Sequence, residues 1–161
     1  MQANAEAQET DPGWSPSLEA EDEGLVLLRK TRGTVNDPLA GLARMIPEGR
    51  YFYLATPYSK YPEGIEAAFR DACRVTARLI RAGVPVFSPI AHTHPVAVYG
   101  DIDPLDHSIW LPADAPMMKG AWGLIVAHLD SWATSYGIKV EIEEFAKAGK
   151  PICHLEEDVL L

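Results

Sequence analysis

No run of apolar residues approaches the roughly 18 needed to span a membrane as a helix, so a membrane-spanning helix is not expected in this chain. The opening residues, MQANAEAQETDPGW, have neither a basic start nor an apolar stretch, so a secretory signal is not expected either. Cysteine is scarce. Cys73 and Cys153 fall in segments that read as helix and strand, which fits two buried thiols in a reducing cytoplasm better than a disulfide framework. Lysine and arginine are missing from residues 1–24, which hold seven acids. The formal charge of −9 therefore belongs mainly to that tail, and the rest of the chain is near −2. Charge says little about a ligand, and no basic cluster suggests a duplex nucleic-acid surface. The 161 residues suffice for one domain with a hydrophobic core.

Three stretches follow from this. Residues 1–24 are expected to be a disordered acidic tail. Residues 25–50, with the apolar run Leu25–Leu28 and a short helix from Leu39 to Met45, read as an extension that docks on the domain or on a partner subunit. Residues 51–161 read as the domain. There, Tyr51–Ala55 is a strand, a helix opens at Pro62-Glu63-Gly64 and stops at Gly83, and Val84–Phe87 is a second strand. Residues 90–108, rich in His, Asp and Pro, read as a long functional loop. A helix over Ala113–Gly120, a buried strand over Trp122–Leu129, a helix over Ile138–Ala148 and a strand over Pro151–Leu155 complete the order. Strands alternating with helices predict an α/β fold, a flavodoxin-like three-layer sandwich with a mainly parallel sheet of four or five strands. Ligands in such sheets bind at the carboxyl ends of the strands. The loops there are 56–63, 88–108 and 130–137.

Glu141 stands out in its segment because it is read in the first turn of a helix that follows a ligand-side loop. A carboxylate there is favoured by the helix dipole and stays ionised, as a nucleophile must. Plain helix stabilisation is the alternative. Asp114 reads equally as a helix N-cap and as an acid, and Asp130 as a loop cap or a ligand contact. Tyr58 and Trp132 suit stacking on a base, although aromatics are more often core or interface residues. His92 and His94 lie near Asp101, Asp103, Asp106 and His107, but the pair lacks a fixed third ligand, so no metal is expected. The histidine loop more naturally shapes the pocket. His128 reads as a core histidine.

Glu141 followed eight residues later by Gly149-Lys150-Pro151 resembles the nucleoside 2-deoxyribosyltransferases and the related deoxynucleoside-monophosphate N-glycosidases. The resemblance runs from about Tyr51 to Leu155. Tyr53–Pro57 (YLATP) is similar to that superfamily's first strand and turn, with Thr56 where glycine is usual. A branch of bacterial and phage proteins also shares an SPIAHTHP-like loop and a D-x-W-x-x-S-x-G segment, here Asp130 to Gly137. The resemblance implies that Glu141 attacks the anomeric carbon of a sugar and that Asp114 is the general acid/base or a sugar contact. It implies for Ser135 a contact with a 5′-phosphate, which a neutral hydroxyl beside a helix N-terminus suits. Ser59, Lys60, Ser88, Gly137 and Lys139 join as further candidate contacts. The expected function is cleavage or transfer at the N-glycosidic bond of a nucleoside or nucleoside 5′-monophosphate, without a cofactor, in a cytoplasmic homodimer. Trp110, Trp122, Trp132 and Leu25–Leu28 are its candidate interface. The alternatives are a nucleotide-sensing module without turnover and a metal-dependent hydrolase built on His92 and His94.

Overall fold

The computed structural model describes residues 25–28 and 38–160; the expected disordered tail, residues 1–24, lies outside them. The strand β2 (Phe52–Ala55) is buried along its whole length. Its alternate side chains enter two different cores, because successive residues of a strand point to opposite faces. Phe52 and Leu54 join one cluster and Tyr53 and Ala55 the other. The strand β4 (Gly123–His128) divides in the same way: Ile125 and Ala127 lie on the first face, Leu124 and Val126 on the second. Continuous apolar strands buried on both faces are the mark of a parallel sheet covered on both sides.

All pairings are parallel. The order is β1-β5-β4-β2-β3, with β1 at Leu25–Leu28, β3 at Val86–Phe87 and β5 at Ile152–Glu156. The fold is thus the expected flavodoxin-like three-layer sandwich. Counted from Tyr51 the strands run 2-1-3-4, and the N-terminal segment supplies the fifth position by pairing Leu25 with Ile152 and Leu28 with Leu155. The helix α1 (Pro38–Met45) packs with it: Leu39 and Leu42 are fully buried in the first core beside Val75 and Leu79 of α2 (Ile65–Arg81). The extension therefore docks on its own domain.

Between β3 and β4 the structure departs from the expected loop. Residues 90–108 belong largely to α3 (Pro89–Gly100) and the start of α4 (His107–Gly120). The helix α3 starts because Ser88 accepts a hydrogen bond from the Ala91 N–H and Pro89 takes the first helical turn, where a missing N–H costs nothing. Asp106 caps α4 by accepting from the Ser108 N–H at 2.9 Å. Pro112 and Pro116 lie inside α4, four residues apart and both exposed. The helix bonds they remove therefore fall on the solvent side, where water can take the freed carbonyls.

The helix α5 (Tyr136–Lys147) and the short α6 (Glu157–Leu160) flank β5. Gly149, at φ +62, makes the left-handed turn that ends α5. Lys150 then donates to the carbonyls of Met118, Lys119 and Ala121 at 2.7 to 3.0 Å, so that its ammonium caps the end of α4. Gly123 is required where β4 passes Phe52 and the Pro151 carbonyl; a Cβ there would lie 2.9 Å from each. Two tryptophans expected at an oligomer surface are engaged within the chain. Trp122 stands edge-on to Phe52 at 5.2 Å, and Trp132 stacks on His128 at 3.8 Å. Among the described residues no helix is long and apolar enough to cross a membrane.

Candidate functional site

In a doubly wound sheet the ligand crevice opens where successive crossovers leave in opposite directions. Here that point lies between β2 and β4, and a cleft sits at the carboxyl ends of the strands. Three helices present side chains to it at helical spacing: Ile90, Thr93, His94 and Ala97 from α3; His107, Trp110, Leu111 and Asp114 from α4; Ile138 and Glu141 from α5.

Glu141 is in the second turn of α5, not the first, because Ser135 caps the helix by accepting from the Ile138 N–H at 3.5 Å. Its position follows from the stripe it shares. Ile138 and Phe145 are buried against the sheet, and Glu141 lies on the same side of the helix. The carboxyl is thus held among apolar neighbours, where the Tyr53 hydroxyl donates to its Oε1 at 3.2 Å. Burial pushes Glu141 up to about 8; the Tyr53 hydrogen bond works against the rise and the nearby Asp114 adds to it. The expectation of a carboxylate kept ionised by the helix terminus is therefore corrected: desolvation outweighs a dipole whose effect fades after the first turn. Tyr53 is itself shifted upward by burial and by both carboxylates, so it stays a phenol and a donor.

Asp114 is no N-cap. It sits in the interior of α4, where half-burial pushes it up to about 6 while His92 pulls the other way. Two carboxyls with raised proton affinity thus face one cleft. Coupled groups of this kind titrate as a pair.

The opposite wall is a chain of polar contacts. The Tyr58 hydroxyl lies 2.7 Å from His94 Nδ1, and His94 Nε2 lies 3.1 Å from Glu66 Oε2. The His94 ring stacks on Phe69 at 4.3 Å. Both nitrogens of this buried histidine are thereby engaged. His92 is exposed on another side of α3, so the pair does not converge on a shared point. Among the described residues no group of three His, Cys, Asp or Glu side chains is arranged to hold a metal.

Of the candidates read from the sequence, Glu141, Asp114, Thr56, Tyr58, Ser59, His94, Ser135 and Gly137 line the cleft. Thr56 is buried there, and among the described residues its Oγ1 has no hydrogen-bond partner. Lys60, Ser88, His92, Asp130 and Trp132 do not line it. Lys60 and Asp130 are exposed, and the Ser88 hydroxyl is spent capping α3. Trp132 is committed to His128, which itself lies 2.7 Å from His154. Trp110, expected at an interface, instead lines the cleft and donates from its indole to the Asp103 carbonyl at 2.8 Å. His107, Ile90 and Leu111 had not been singled out as cleft residues, nor Tyr53 as the hydrogen-bond donor to Glu141. The spacing of Ile90 to Ala97 and of His107 to Asp114 was the available signal.

No curated protein matches the chain. The model of a family described as a domain of unknown function (DUF1937) matches residues 50–157. That span contains every cleft residue named above, and the chain belongs to the DUF1937 family.

Proposed function

We propose that the cleft binds a nucleoside or nucleoside 5′-monophosphate and that the protein cleaves or transfers its N-glycosidic bond through a covalent glycosyl intermediate on Glu141. The observation that carries this reading is the meeting of Glu141 and Asp114 on one cleft at the switch point of the sheet. Displacement at an anomeric carbon needs a carboxylate to attack and an acid to protonate the leaving group. A Glu141 oxygen forms a bond to the anomeric carbon as the bond to the base breaks. The electron pair leaves on the base nitrogen, which takes the proton from Asp114. Water or a second base then attacks the same carbon, gives its proton to Asp114 and releases Glu141.

Between about pH 6 and 8 the pair holds one proton. The reaction needs it on Asp114, and positive charge developing on the sugar favours an ionised Glu141. Ser135 and Gly137 at the start of α5, with the unpartnered Thr56 hydroxyl, suit a 5′-phosphate.

The same reading includes a homodimer. The helices that line the cleft also carry exposed apolar side chains, Val98 and Tyr99 on α3 and Ile109 on α4. It includes a reducing, cytoplasmic setting, which suits the free thiols Cys73 and Cys153.

Chromatography of free base released from a panel of nucleosides and nucleotides, with and without an acceptor base, tests the activity and separates hydrolysis from transfer. Glu141→Gln should abolish release, and a 2-deoxy-2-fluoro substrate should leave a sugar adduct on the peptide containing Glu141. Full turnover by the Glu141→Gln protein would reject the mechanism.

A further inference from the structure

We infer that Tyr58 is a specificity-determining residue that presents a hydrogen-bond acceptor to the cleft and selects nucleobases carrying an exocyclic amino group. The inference rests on the nucleotide reading above and extends it to the class of base.

The polarity is set from outside the cleft. Glu66, at the start of α2, has its side chain 65 % exposed, while His94 is 5 % exposed. A carboxylate can only accept, so the tautomer of His94 that fits the contact carries its N–H on Nε2 and donates it to Glu66. That leaves Nδ1 as a bare acceptor. The Tyr58 hydroxyl, 2.7 Å away, must then donate to it. A phenol has one hydrogen; once that hydrogen is committed, only oxygen lone pairs remain for a ligand. Stacking of His94 on Phe69 fixes the ring plane and so the direction of both bonds. Burial, with Glu66 nearby, pushes Tyr58 up to about 12, which keeps the hydrogen on the phenol.

The base is the part of the ligand that meets this group. The reacting carbon belongs beside Glu141 and Asp114 on α5 and α4, and a phosphate suits Ser135. Tyr58 lies with α3, where Ile90 and Ala97 line the cleft with apolar surface suited to a flat ring. A phosphate oxygen or a ring carbonyl brings a second acceptor against Tyr58 and is disfavoured. An amino group brings the donor that is missing.

The test is a binding comparison at pH 8 by calorimetry, using the full chain and 2′-deoxynucleoside 5′-monophosphates. Adenine is compared with unsubstituted purine, and cytosine with pyrimidin-2-one, so that each pair differs by the amino group. At least one amino-bearing nucleotide should bind roughly tenfold more tightly than its partner, the worth of one hydrogen bond to an otherwise unpaired group. Tyr58→Phe should erase that difference. Glu66→Gln, an exposed change, should narrow it, because an amide can donate to Nε2 and turn the chain around. Nucleotide binding with no dependence on the amino group in either pair would overturn the inference and leave the nucleotide reading standing. Absence of binding by all four nucleotides would overturn both.

Discussion

Removing the charge of Glu141 should make the protein more stable while making it inactive. In an unfolded chain a glutamate titrates at its ordinary 4.5; in the folded protein burial raises Glu141 to about 8. Between these values the folded state binds a proton that the unfolded state does not. The stability of the parent protein therefore falls as pH rises through this window, and the loss is complete above the folded value. Each pH decade costs ~1.4 kcal/mol, so the penalty is about 3 kcal/mol at pH 7 and roughly 5 kcal/mol above pH 8. Glu141→Gln has no ionisation to suppress and can still accept from the Tyr53 hydroxyl. Its advantage over the parent should be near zero at pH 4.5 and grow to a few kcal/mol at pH 8. Urea unfolding of both proteins at several pH values measures it, with the shift of the midpoint multiplied by the common slope. A gap that stays constant from pH 4.5 to 8.5 would refute the claim that Glu141 is held in a desolvating site.

On the proposed mechanism kcat/KM should be bell-shaped, rising through about 6 and falling through about 8. Below the first value both carboxyls hold protons and none can attack; above the second neither can protonate the base. A flat profile from pH 5 to 9 would count against the shared proton. Leu42→Ala should lower stability by about 2–5 kcal/mol, as a buried leucine does, because α1 belongs to the core; a neutral result in thermal unfolding would contradict that packing. Lys150→Met should cost about 1.5–3 kcal/mol by leaving three carbonyls at the end of α4 without their charged donor, and an unchanged melting temperature would show the ammonium to be dispensable.

The layers were legible in the sequence because the strands are short apolar runs bounded by Gly and Pro, and parallel strands buried on both faces look like that. The cleft was legible where a residue lies just beyond a strand or caps a helix, as Thr56 and Ser135 do. Glu141 and Asp114 were found, but each with the wrong local setting. Gly137 made α5 seem to start two residues late, and Pro112 hid the first half of α4. The larger miss was α3. Three prolines between Pro89 and Pro104, with two histidines, look like a loop, yet Ser88 caps and Pro89 starts a helix that tolerates Pro95. Turn chemistry outvoted periodicity in that reading, although Ile90, Thr93, His94 and Ala97 follow a helical face. The role of Gly149-Lys150-Pro151 was hidden for another reason. Its ammonium reaches carbonyls about 30 residues earlier in the chain, a contact that no local pattern encodes.

The place of β1 in the sheet governs how the chain can be made. This strand precedes the others in sequence, yet among the described residues its one neighbour is β5, the last strand of the sheet to be synthesised. On a ribosome Leu25–Leu28 must wait, with its backbone amides unpaired, until Ile152 has emerged. Helix α1 can reach its site on the first core earlier, once α2 and β2 are available, and would tether the waiting segment close to its destination. The four strands from β2 to β5 can assemble first, leaving the outer edge of β5 open as a template for any extended peptide nearby. Closure of that edge is the most non-local event in the fold and so should be among the slowest. A nascent or truncated chain lacking β1 would carry an unprotected parallel edge, and a second molecule's Leu25–Leu28 would fit it as well as its own.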